Sequence, residues 1–210
     1  MKTITGVVKI SRQAPENDGI KMAVEVLKKG GIVVFPTDTV YGIAASAFNL
    51  GAQKRIYALK GRSYHKPLIL MSENTESLKN IVEVPGHAGK MINKFWPGPL
   101  TLILPTTQLG KMICGGRSDL GVRVPDCRIA LKLIRSCGFP LATTSANPSS
   151  KPSAKSAGEC EAYFKGKVEL ILDGGICPKG MESTVVNACS VHYTVVREGC
   201  LKKKEILRYI

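Results

Sequence analysis

The sequence predicts a single α/β domain in which a twisted, mixed sheet is flanked by helices. Short apolar segments alternate with segments of helical periodicity along the whole chain, as expected when strands and covering helices follow one another. Segments such as residues 32–35, Ile-Val-Val-Phe, are continuously apolar, which is typical of strands buried on both faces. The 210 residues suit one such domain, residues 1–210, because strands continue on both sides of each loop-rich stretch.

The first half of the chain begins with a predicted strand over residues 4–10. A helix follows, which Asn17 or Asp18 caps and which ends at the glycine pair 30–31. We expect Met22, Val26 and Leu27 to form the buried face of this helix. The same patterns predict two more strands, at 32–35 and 68–71, and three helical segments, at 51–59, 75–81 and 87–95.

The second half of the chain is richer in strands. Short runs of β-branched and apolar residues, bounded by Gly, Pro or Ser, predict six of them, at 100–104, 121–124, 141–144, 168–172, 184–188 and 194–197. Helices are expected at 130–137 and 157–164, and a lysine cluster at 202–204 opens a last helix in solvent. Two stretches rich in Gly, Ser, Lys and Pro, 106–119 and 148–156, are predicted to be loops.

Composition argues against a membrane protein and against a metal-stabilised fold. No apolar run approaches the about 20 residues that a membrane-spanning helix needs. The first residues lack the apolar segment of a signal peptide, so we expect a cytoplasmic protein without a membrane partner. The seven cysteines include no C-x-x-C pair, which favours reduced, buried thiols over a structural metal site. The sequence identifies no metal ligand.

The formal net charge of +14 favours an anionic partner such as a nucleotide, an RNA or an acidic protein. The basic residues are spread along the chain, so a solvated basic surface is the alternative explanation. Aromatic residues make up only 6% of the chain, and few are therefore available to stack on the bases of an RNA. Charge alone does not separate a nucleotide enzyme from an RNA-binding protein.

Short polar motifs lie where predicted strands stop or start. They are residues 36–42 (Pro-Thr-Asp-Thr-Val-Tyr-Gly), 60–62 (Lys-Gly-Arg), 97–101 (Pro-Gly-Pro-Leu-Thr), 121–125 (Gly-Val-Arg-Val-Pro), 144–147 (Thr-Ser-Ala-Asn) and 182–186 (Glu-Ser-Thr-Val-Val). Loops at strand ends are where α/β proteins build ligand sites. The motifs supply positive charges and hydroxyls without a paired nucleophile and base. This combination suits binding of a polyphosphate and a small polar acid rather than Ser-His-Asp hydrolysis.

Lys60 and Arg62 form the best candidate for phosphate binding. Gly61 lets the backbone turn between them, the lysine offers a compact charge, and the arginine offers a planar fork for two oxygens. Lys66 adds a third charge nearby. The alternative is a helix end whose basic residues offset the helix dipole. Local sequence does not separate the two interpretations.

Hydroxyl and amide groups recur at alternate positions after two strands. Ser145 and Asn147 have the spacing of side chains that face one ligand, and Thr37 and Thr39 repeat it. A turn that satisfies its own backbone is the alternative for both pairs. Arg123 ends a buried strand and requires a partner, which is either a structural carboxylate or the anion of a ligand.

Taken in order, these motifs resemble the pattern of the YrdC-like family, the threonylcarbamoyl-AMP synthases, from about residue 12 to residue 200. The family pattern P-T-[DE]-T-x-Y-G-L corresponds to residues 36–43, and K-G-R with a following Pro-Leu corresponds to residues 60–68. P-G-P-x-T, G-V-R-x-P, T-S-A-N and S-T-V-V follow in the same order. The chain departs from the pattern at Ser63, where many members have proline, and at Lys66, where many have asparagine. It resembles the short form of the family.

The resemblance implies a YrdC-like fold and the synthesis of threonylcarbamoyl-AMP and pyrophosphate from L-threonine, bicarbonate and ATP. Magnesium would accompany ATP, and threonylcarbamoyl-transferase proteins would use the product to modify tRNA beside the anticodon. By the same resemblance, ATP would be held by Lys60, Arg62, Lys66, Ser145, Asn147 and Arg197, with Lys60 and Arg62 as the catalytic pair. The threonine site would be lined by Thr39, Arg123, Thr143 and Ser183, with Arg123 on the substrate carboxylate.

Two other functions are compatible with the same motifs. The first is an RNA-binding or ribosome-associated protein of the same fold, which the basic charge would serve and which leaves tRNA or another RNA open as a direct partner. The second is a carbamoyl-transfer relative that acts on carbamoyl phosphate. Such domains usually belong to larger chains with zinc-finger-like cysteine pairs, which this sequence does not contain.

Overall fold

The computed structural model describes residues 3–209. Within this range the strands form one mixed sheet with helices on both faces, as the sequence predicts. There are ten strands, one more than the nine predicted. The strands are β1 (Gly6–Lys9), β2 (Val33–Phe35), β3 (Gly42–Ser46), β4 (Ile69–Met71), β5 (Leu100–Pro105), β6 (Asp119–Arg123), β7 (Leu141–Ser145), β8 (Leu170–Asp173), β9 (Thr184–Asn187) and β10 (Thr194–Arg197).

The sheet has the strand order β1-β8-β2-β3-β7-β4-β6-β5-β9-β10. Four neighbouring pairs are parallel, namely β1–β8, β2–β8, β4–β6 and β5–β9. The other five pairs are antiparallel, so the sheet is mixed from one edge to the other. This order brings strands that are far apart in sequence into contact, and it collects the polar motifs in one region of the molecule.

Seven α-helices lie within the described range. They are α1 (Asn17–Lys28), α2 (Leu50–Lys60), α3 (Gly89–Phe95), α4 (Gln108–Ile113), α5 (Arg128–Cys137), α6 (Ala157–Phe164) and α7 (Lys203–Ile206). The prediction of a loop over 106–119 is therefore wrong for α4. The helix expected at 75–81 is reduced to a single 3₁₀ turn at Glu76–Leu78.

The buried face of α1 differs from the expected one. Met22 is 48% exposed, whereas Ile20, Ala23, Val24 and Leu27 are buried. These four positions have the i, i+3, i+4, i+7 spacing of a single helix face, and Met22 lies away from it. The N-cap residue is Glu16, which makes no side-chain capping bond, so neither Asn17 nor Asp18 caps the helix.

Two hydrophobic clusters cover the sheet. The larger cluster joins α2, α3 and α6 to alternate residues of the central strands, including Leu70, Leu102 and Val122. The smaller cluster lies on the opposite face, where α1 and α5 pack together over Phe35, Leu172 and other residues of the strands near β1. The smaller cluster extends only as far as Met71 of β4 and Leu141 of β7, so α1 and α5 cover half of this face and leave β6, β5 and β9 open.

None of the helices in the described part of the chain combines the length and the apolar composition that crossing a bilayer requires.

Candidate active site

A cavity of about 650 Å³ lies over the half of the sheet face that α1 and α5 leave uncovered. Its floor is made of alternate residues from five neighbouring strands or strand ends: Thr143 and Ser145, Ile69 and Met71, Gly121 and Arg123, Thr101 and Ile103, and Ser183 and Val185. Side chains two residues apart on a strand point to the same face, which explains the spacing. The sequence predicts a site at strand ends, and the structure extends that site across the face of the sheet.

Basic side chains form one wall of the cavity. Arg62, His65 and Lys66 come from the segment after α2, and Arg197 comes from the end of β10. Arg62 is anchored by two bonds, from Nε to the carbonyl of Lys66 (2.7 Å) and from Nη2 to the carbonyl of Pro67 (3.1 Å). Burial lowers the pKa of the Arg62 guanidinium, and the charge of Arg197 lowers it further. The positive charges of Arg62 and Arg197 therefore repel one another, and an anionic ligand between them would relieve this repulsion.

Arg123 lies in the cavity floor and is only 2% exposed. Its Nη2 forms an ion pair with Oδ1 of Asp38 at 2.5 Å, its Nη1 donates to the Thr39 hydroxyl at 3.0 Å, and its Nε donates to the carbonyl of Gly98 at 2.9 Å. Burial lowers the pKa of this guanidinium, and Asp38 opposes the shift. The partner that the sequence requires for Arg123 is therefore a structural carboxylate in this structure.

Asp38 is as deeply buried as its arginine partner, with 2% of its surface exposed. Its Oδ1 meets Arg123, whereas its Oδ2 has no hydrogen-bond partner among the described residues. The Pro-Thr-Asp-Thr motif thus cradles the guanidinium of Arg123, since Asp38 and Thr39 both contact it. Thr37 completes the cradle through a 2.9 Å hydroxyl–hydroxyl bond to Thr39.

Lys60 lies behind the cavity wall, 3% exposed, and is not among the residues that line the cavity. Its Nζ donates to the backbone carbonyls of Ser145 and Asn147 and to Oδ1 of Asn147 at 3.2 Å. Burial lowers the pKa of Lys60 to about 7, and the charge of Arg62 contributes to the shift. Lys60 therefore holds the turn that follows β7.

Asn147 organises the same turn and also lies outside the cavity lining. Its Oδ1 accepts a 2.6 Å bond from the Ser145 hydroxyl, and its Nδ2 donates to the carbonyls of Pro148 (3.0 Å) and Lys151. Asn147 therefore acts as a turn residue, which is the alternative that the sequence left open for it. Ser145 belongs to the turn and to the cavity, because its side chain bonds to Asn147 while the residue lines the wall.

Hydroxyl groups next to Arg197 form the side of the cavity near β9. The hydroxyls of Ser183 and Thr101 lie 2.8 Å apart, and Arg197 Nη2 donates to the carbonyl of Ser183 at 2.8 Å. Thr143 lies on the floor, where its hydroxyl donates to the carbonyl of Leu141 at 3.0 Å. This region offers short polar side chains, which suit recognition of a small polar acid.

Glu182 contributes a carboxylate to the otherwise cationic lining. Its Oε1 accepts a 2.5 Å bond from the hydroxyl of Ser153. Burial alone would raise the pKa of Glu182, but the Ser153 bond and the charges of Arg197 and Lys155 outweigh burial and lower it. Glu182 is therefore ionised at neutral pH. Residues 3–209 contain no group of three His, Cys, Asp or Glu side chains placed to hold a metal ion.

The structure brings most of the predicted site residues to one cavity. Eight of the ten line it: Thr39, Arg62, Lys66, Arg123, Thr143, Ser145, Ser183 and Arg197. Lys60 and Asn147 support it from behind. Tyr41, whose hydroxyl donates to the carbonyl of Gly175 at 2.8 Å, also lines the cavity.

Sequence reasoning assigned no role to Asp38, Glu182 or His65. A signal was available for the first two, because each belongs to a quoted motif and is a carboxylate beside small polar residues. His65 carries no comparable signal, since a histidine in a basic loop is ordinary surface composition.

The fold and the cavity define an α/β protein whose site is suited to phosphate-bearing ligands. The family model Sua5_yciO_yrdC, described as telomere recombination, matches residues 25–199. The chain therefore belongs to the Sua5/YciO/YrdC family, in agreement with the resemblance of its motifs.

Relatives and solved structures cover nearly the whole chain. The chain is 41% identical to the threonylcarbamoyl-AMP synthase of Pyrococcus abyssi (strain GE5 / Orsay) over 201 residues, 95% of this chain and 59% of that protein. It is 37% identical to the threonylcarbamoyl-AMP synthase of Bacillus subtilis (strain 168) over 210 residues, 98% of this chain and 61% of that protein. The crystal structure of P. abyssi Sua5 complexed with L-threonine superposes with a TM-score of 0.91 at 40% identity, covering 99% of this chain and 61% of that one. The chain thus spans about 60% of the length of these proteins.

Proposed function

We propose that this chain is a threonylcarbamoyl-AMP synthase, a nucleotidyltransferase that converts L-threonine, bicarbonate and ATP into threonylcarbamoyl-AMP and pyrophosphate. The main observation behind this proposal is that a single cavity is lined by the basic and hydroxyl groups of motifs that lie between residues 36 and 199. Two relatives that are named threonylcarbamoyl-AMP synthases, and a related structure complexed with L-threonine, support the assignment. The alternative of an RNA-binding protein of the same fold is not favoured, because the similar proteins carry the name of an enzyme.

The reaction requires positioning and neutralisation of charge more than proton transfer. The threonine amine and bicarbonate condense to a carbamate with loss of water. A carbamate oxygen then attacks the α-phosphorus of ATP, the bond from that phosphorus to the bridging oxygen breaks, and pyrophosphate leaves with the electron pair. Catalysis of such a transfer depends on alignment of the reactants and on cations near the developing negative charge.

Arg62, Lys66 and Arg197 are the groups we assign to the triphosphate. All three line the same wall, and the carbonyls that accept from Arg62 and Arg197 fix their guanidinium groups before a ligand arrives. A fixed cation loses little freedom when the phosphate binds, and it stabilises the leaving pyrophosphate without rearrangement. Magnesium enters with ATP as part of the substrate, since it takes most of its ligands from phosphate oxygens and water.

The amino acid is assigned to the cavity floor near Arg123, Thr39, Thr143 and Ser183. A guanidinium has five N–H groups, and the bonds of Arg123 to Asp38, Thr39 and Gly98 engage one on each nitrogen. The carboxylate of threonine is assigned to an N–H group beyond these three, with the surrounding hydroxyls as further donors. Asp38 keeps the guanidinium oriented toward that position.

Other parts of the proposal concern the cellular setting. We assign the protein to the cytoplasm, where reduced cysteines are expected, and its seven thiols are free in the structure. We assign its product to threonylcarbamoyl-transferase proteins that modify tRNA. A direct contact with tRNA is compatible with the charge of +14 and is not required by the reaction.

The test is a mass-spectrometric assay of the purified chain with ATP, magnesium, L-threonine and bicarbonate. We expect a threonine-dependent adduct of AMP and an equal amount of pyrophosphate. Arg197→Gln should lose most of this activity, because it removes a charge from the phosphate wall. Arg135→Gln is the matched control, since that side chain is 73% exposed and pairs with Glu73 outside the cavity. Pyrophosphate release without threonine, or full activity in Arg197→Gln, would contradict the assignment.

A further inference from the structure

Two tyrosine rings stack at the end of α2, beside the cationic wall of the cavity. The ring centroids of Tyr57 and Tyr64 are 4.6 Å apart, and the ring planes are tilted by 33°. Tyr57 packs against the larger core cluster, and its hydroxyl accepts a 3.1 Å bond from the backbone N–H of Leu68. Tyr64 lies on the solvent side of the pair and is 64% exposed. One side of the Tyr64 ring is thus supported, while the residue as a whole is open to solvent.

The segment that carries Tyr64 is held in place by its neighbours. Residues 63–66 form a turn closed by a 3.0 Å bond from the N–H of Lys66 to the carbonyl of Ser63. Arg62 braces the same turn through its bonds to the carbonyls of Lys66 and Pro67. A large aromatic ring on a braced turn gains little from folding when it stays exposed. A ring that is fixed before binding costs a ligand little ordering entropy.

Tyr64 lies within the segment that supplies Arg62, His65 and Lys66 to the cavity wall. All three lie within two residues of Tyr64 along the chain. Neither tyrosine is among the residues that line the cavity, but the Tyr57 hydroxyl binds the N–H of Leu68, and the preceding residue, Pro67, lines the cavity and accepts from Arg62. The tyrosine pair therefore adjoins the segment that carries the groups assigned to the triphosphate.

We propose that Tyr64, supported by Tyr57, is a stacking platform for the adenine base of ATP. The proposal rests on ATP as the substrate of the proposed reaction, and it adds a site for the base to the site for the phosphates. Aromatic side chains bind bases through their faces with little dependence on base identity, so the platform predicts tolerance toward other purine nucleotides. Specificity for adenine would come from groups other than this ring.

The experiment compares a ligand that has a base with one that lacks it. Dissociation constants of ATP and of inorganic tripolyphosphate are measured calorimetrically, with magnesium and without threonine, for the unaltered chain and for Tyr64→Ala, Tyr64→Phe and Phe48→Ala. Phe48 is the matched control, because it is also an exposed aromatic residue (53%) and precedes α2, a helix about 16 Å long that separates it from Tyr64. The melting temperature of each variant establishes that it folds.

We expect Tyr64→Ala to weaken ATP binding by about 5-fold to 100-fold, the range typical for loss of a base–aromatic stack. Tripolyphosphate binding should change by less than about twofold in every variant, and Tyr64→Phe and Phe48→Ala should bind ATP like the unaltered chain. Unchanged ATP affinity in Tyr64→Ala would overturn the platform, and so would an equal loss of ATP and tripolyphosphate, which would mean that the ring only shapes the turn.

Two further outcomes separate this inference from the proposed function. If Tyr64→Ala binds ATP normally but binds a single-stranded RNA oligonucleotide more weakly, the ring serves RNA and the adenine platform is wrong. If the predicted difference between ATP and tripolyphosphate is found while the chain makes no threonylcarbamoyl-AMP, the platform stands and the synthase assignment fails.

Discussion

At the scale of single residues, Lys60 shows how a basic group in a ligand motif becomes part of the scaffold. It is 3% exposed, and its ammonium group is surrounded by oxygens of Ser145 and Asn147. A buried lysine is tolerated only where such acceptors replace water. Its influence on a ligand is therefore indirect, through the position of Ser145 in the cavity wall.

The first prediction concerns the pH dependence that Lys60 gives to folding. Its pKa falls from 10.5 to about 7 on folding. Between these two pH values the unfolded chain binds the proton and the folded chain does not, so the free energy of unfolding rises with pH. Below pH 7 both states are protonated, and the full cost of burying the charged amine lowers stability. Lys60→Met removes the titrating group. Urea unfolding at pH 7 and pH 9 should show the unaltered chain gaining about 2 kcal/mol relative to Lys60→Met.

The same variant tests the hydrogen bonds of Lys60 at pH 7. Lys60→Met leaves the carbonyls of Ser145 and Asn147 without this donor, which should lower stability by about 1–3 kcal/mol. Lys54→Met is the control, because that lysine is an exposed residue of the same helix. Equal pH dependence of Lys60→Met and the unaltered chain would contradict the lowered pKa.

The second prediction concerns the buried pair of Arg123 and Asp38. Arg123→Met leaves the Asp38 carboxylate buried and unpaired, and we expect a loss of about 3–5 kcal/mol in the free energy of unfolding. Adding Asp38→Leu removes the orphaned charge, so the double variant should be more stable than Arg123→Met alone. Denaturant unfolding of the set measures the coupling. Additive losses would show that the two side chains do not form a pair in solution.

Arg123 also marks the limit of sequence reasoning at this scale. A charged residue at the end of an apolar strand must have a partner, and the sequence predicts that need. It does not identify the partner, because Asp38 is 85 residues away and its contact depends on how the strands are ordered. Lys60 is a similar case, since its acceptors are more than 80 residues away. Local patterns predict which groups are unusual, and topology decides what they touch.

At the scale of elements, every predicted strand is found, and the elements that were not predicted were missed for a local cause. The strand β3 was not predicted because Gly42-Ile43-Ala44-Ala45-Ser46 is made largely of small residues with weak strand propensity. It is stabilised instead by its central position between β2 and β7, where all five residues are buried. The helix α4 was missed because it is only six residues long and contains Gly110. Gly110 is needed there, since a Cβ would clash with the carbonyl of Ile81.

The third prediction concerns Gly199, which follows β10 and packs against Glu182 and Ser183, the two residues before β9. A Cβ added to Gly199 would collide with the carbonyl of Glu182 and would lie 2.7 Å from the carbonyl of Ser183. Gly199→Ala should therefore push Glu182 and Ser183 from their places in the cavity wall. We expect a loss of about 1–3 kcal/mol in stability, as for other overpacked sites, and weaker binding of threonine and ATP.

Gly158→Ala is the matched control for Gly199→Ala. Gly158 lies in α6, and no atom beyond its chain neighbours and the backbone of its own helix lies within 4 Å of a Cβ at that position. Alanine is the better helix former, so this change should be neutral or stabilising by at most about 1 kcal/mol. Thermal unfolding and equilibrium binding of both variants make the comparison. If Gly199→Ala behaves like Gly158→Ala, the cavity wall does not depend on close packing at Gly199.

At the scale of the whole molecule, the cavity exists because the helices cover one sheet face unevenly. The helices α1 and α5 cover the half of that face toward β1, and the other half is left to β6, β5 and the start of β9, where Arg123, Thr101 and Ser183 line the cavity. The sequence predicts the polar residues and the mixed sheet. It does not predict the strand order, in which β8 pairs with β1 and β2, and the uncovered half of the face follows from that order.

The last prediction follows from the spread of the cavity across the sheet. Its lining comes from segments between Thr37 and Arg197, so a ligand binds only the assembled fold and should stabilise all of it at once. At a hundred times its dissociation constant, a ligand adds about 2.7 kcal/mol of stability. For a chain of this size, that corresponds to a rise of roughly 5–10 °C in the melting temperature. Scanning calorimetry with magnesium and ATP should show one transition that moves as a whole. At the same ATP concentration, Arg197→Gln should show a much smaller shift, whereas Arg135→Gln should match the unaltered chain. Two separate transitions, of which ATP moves only one, would show that the half under α1 and α5 folds independently of the half that holds the cavity.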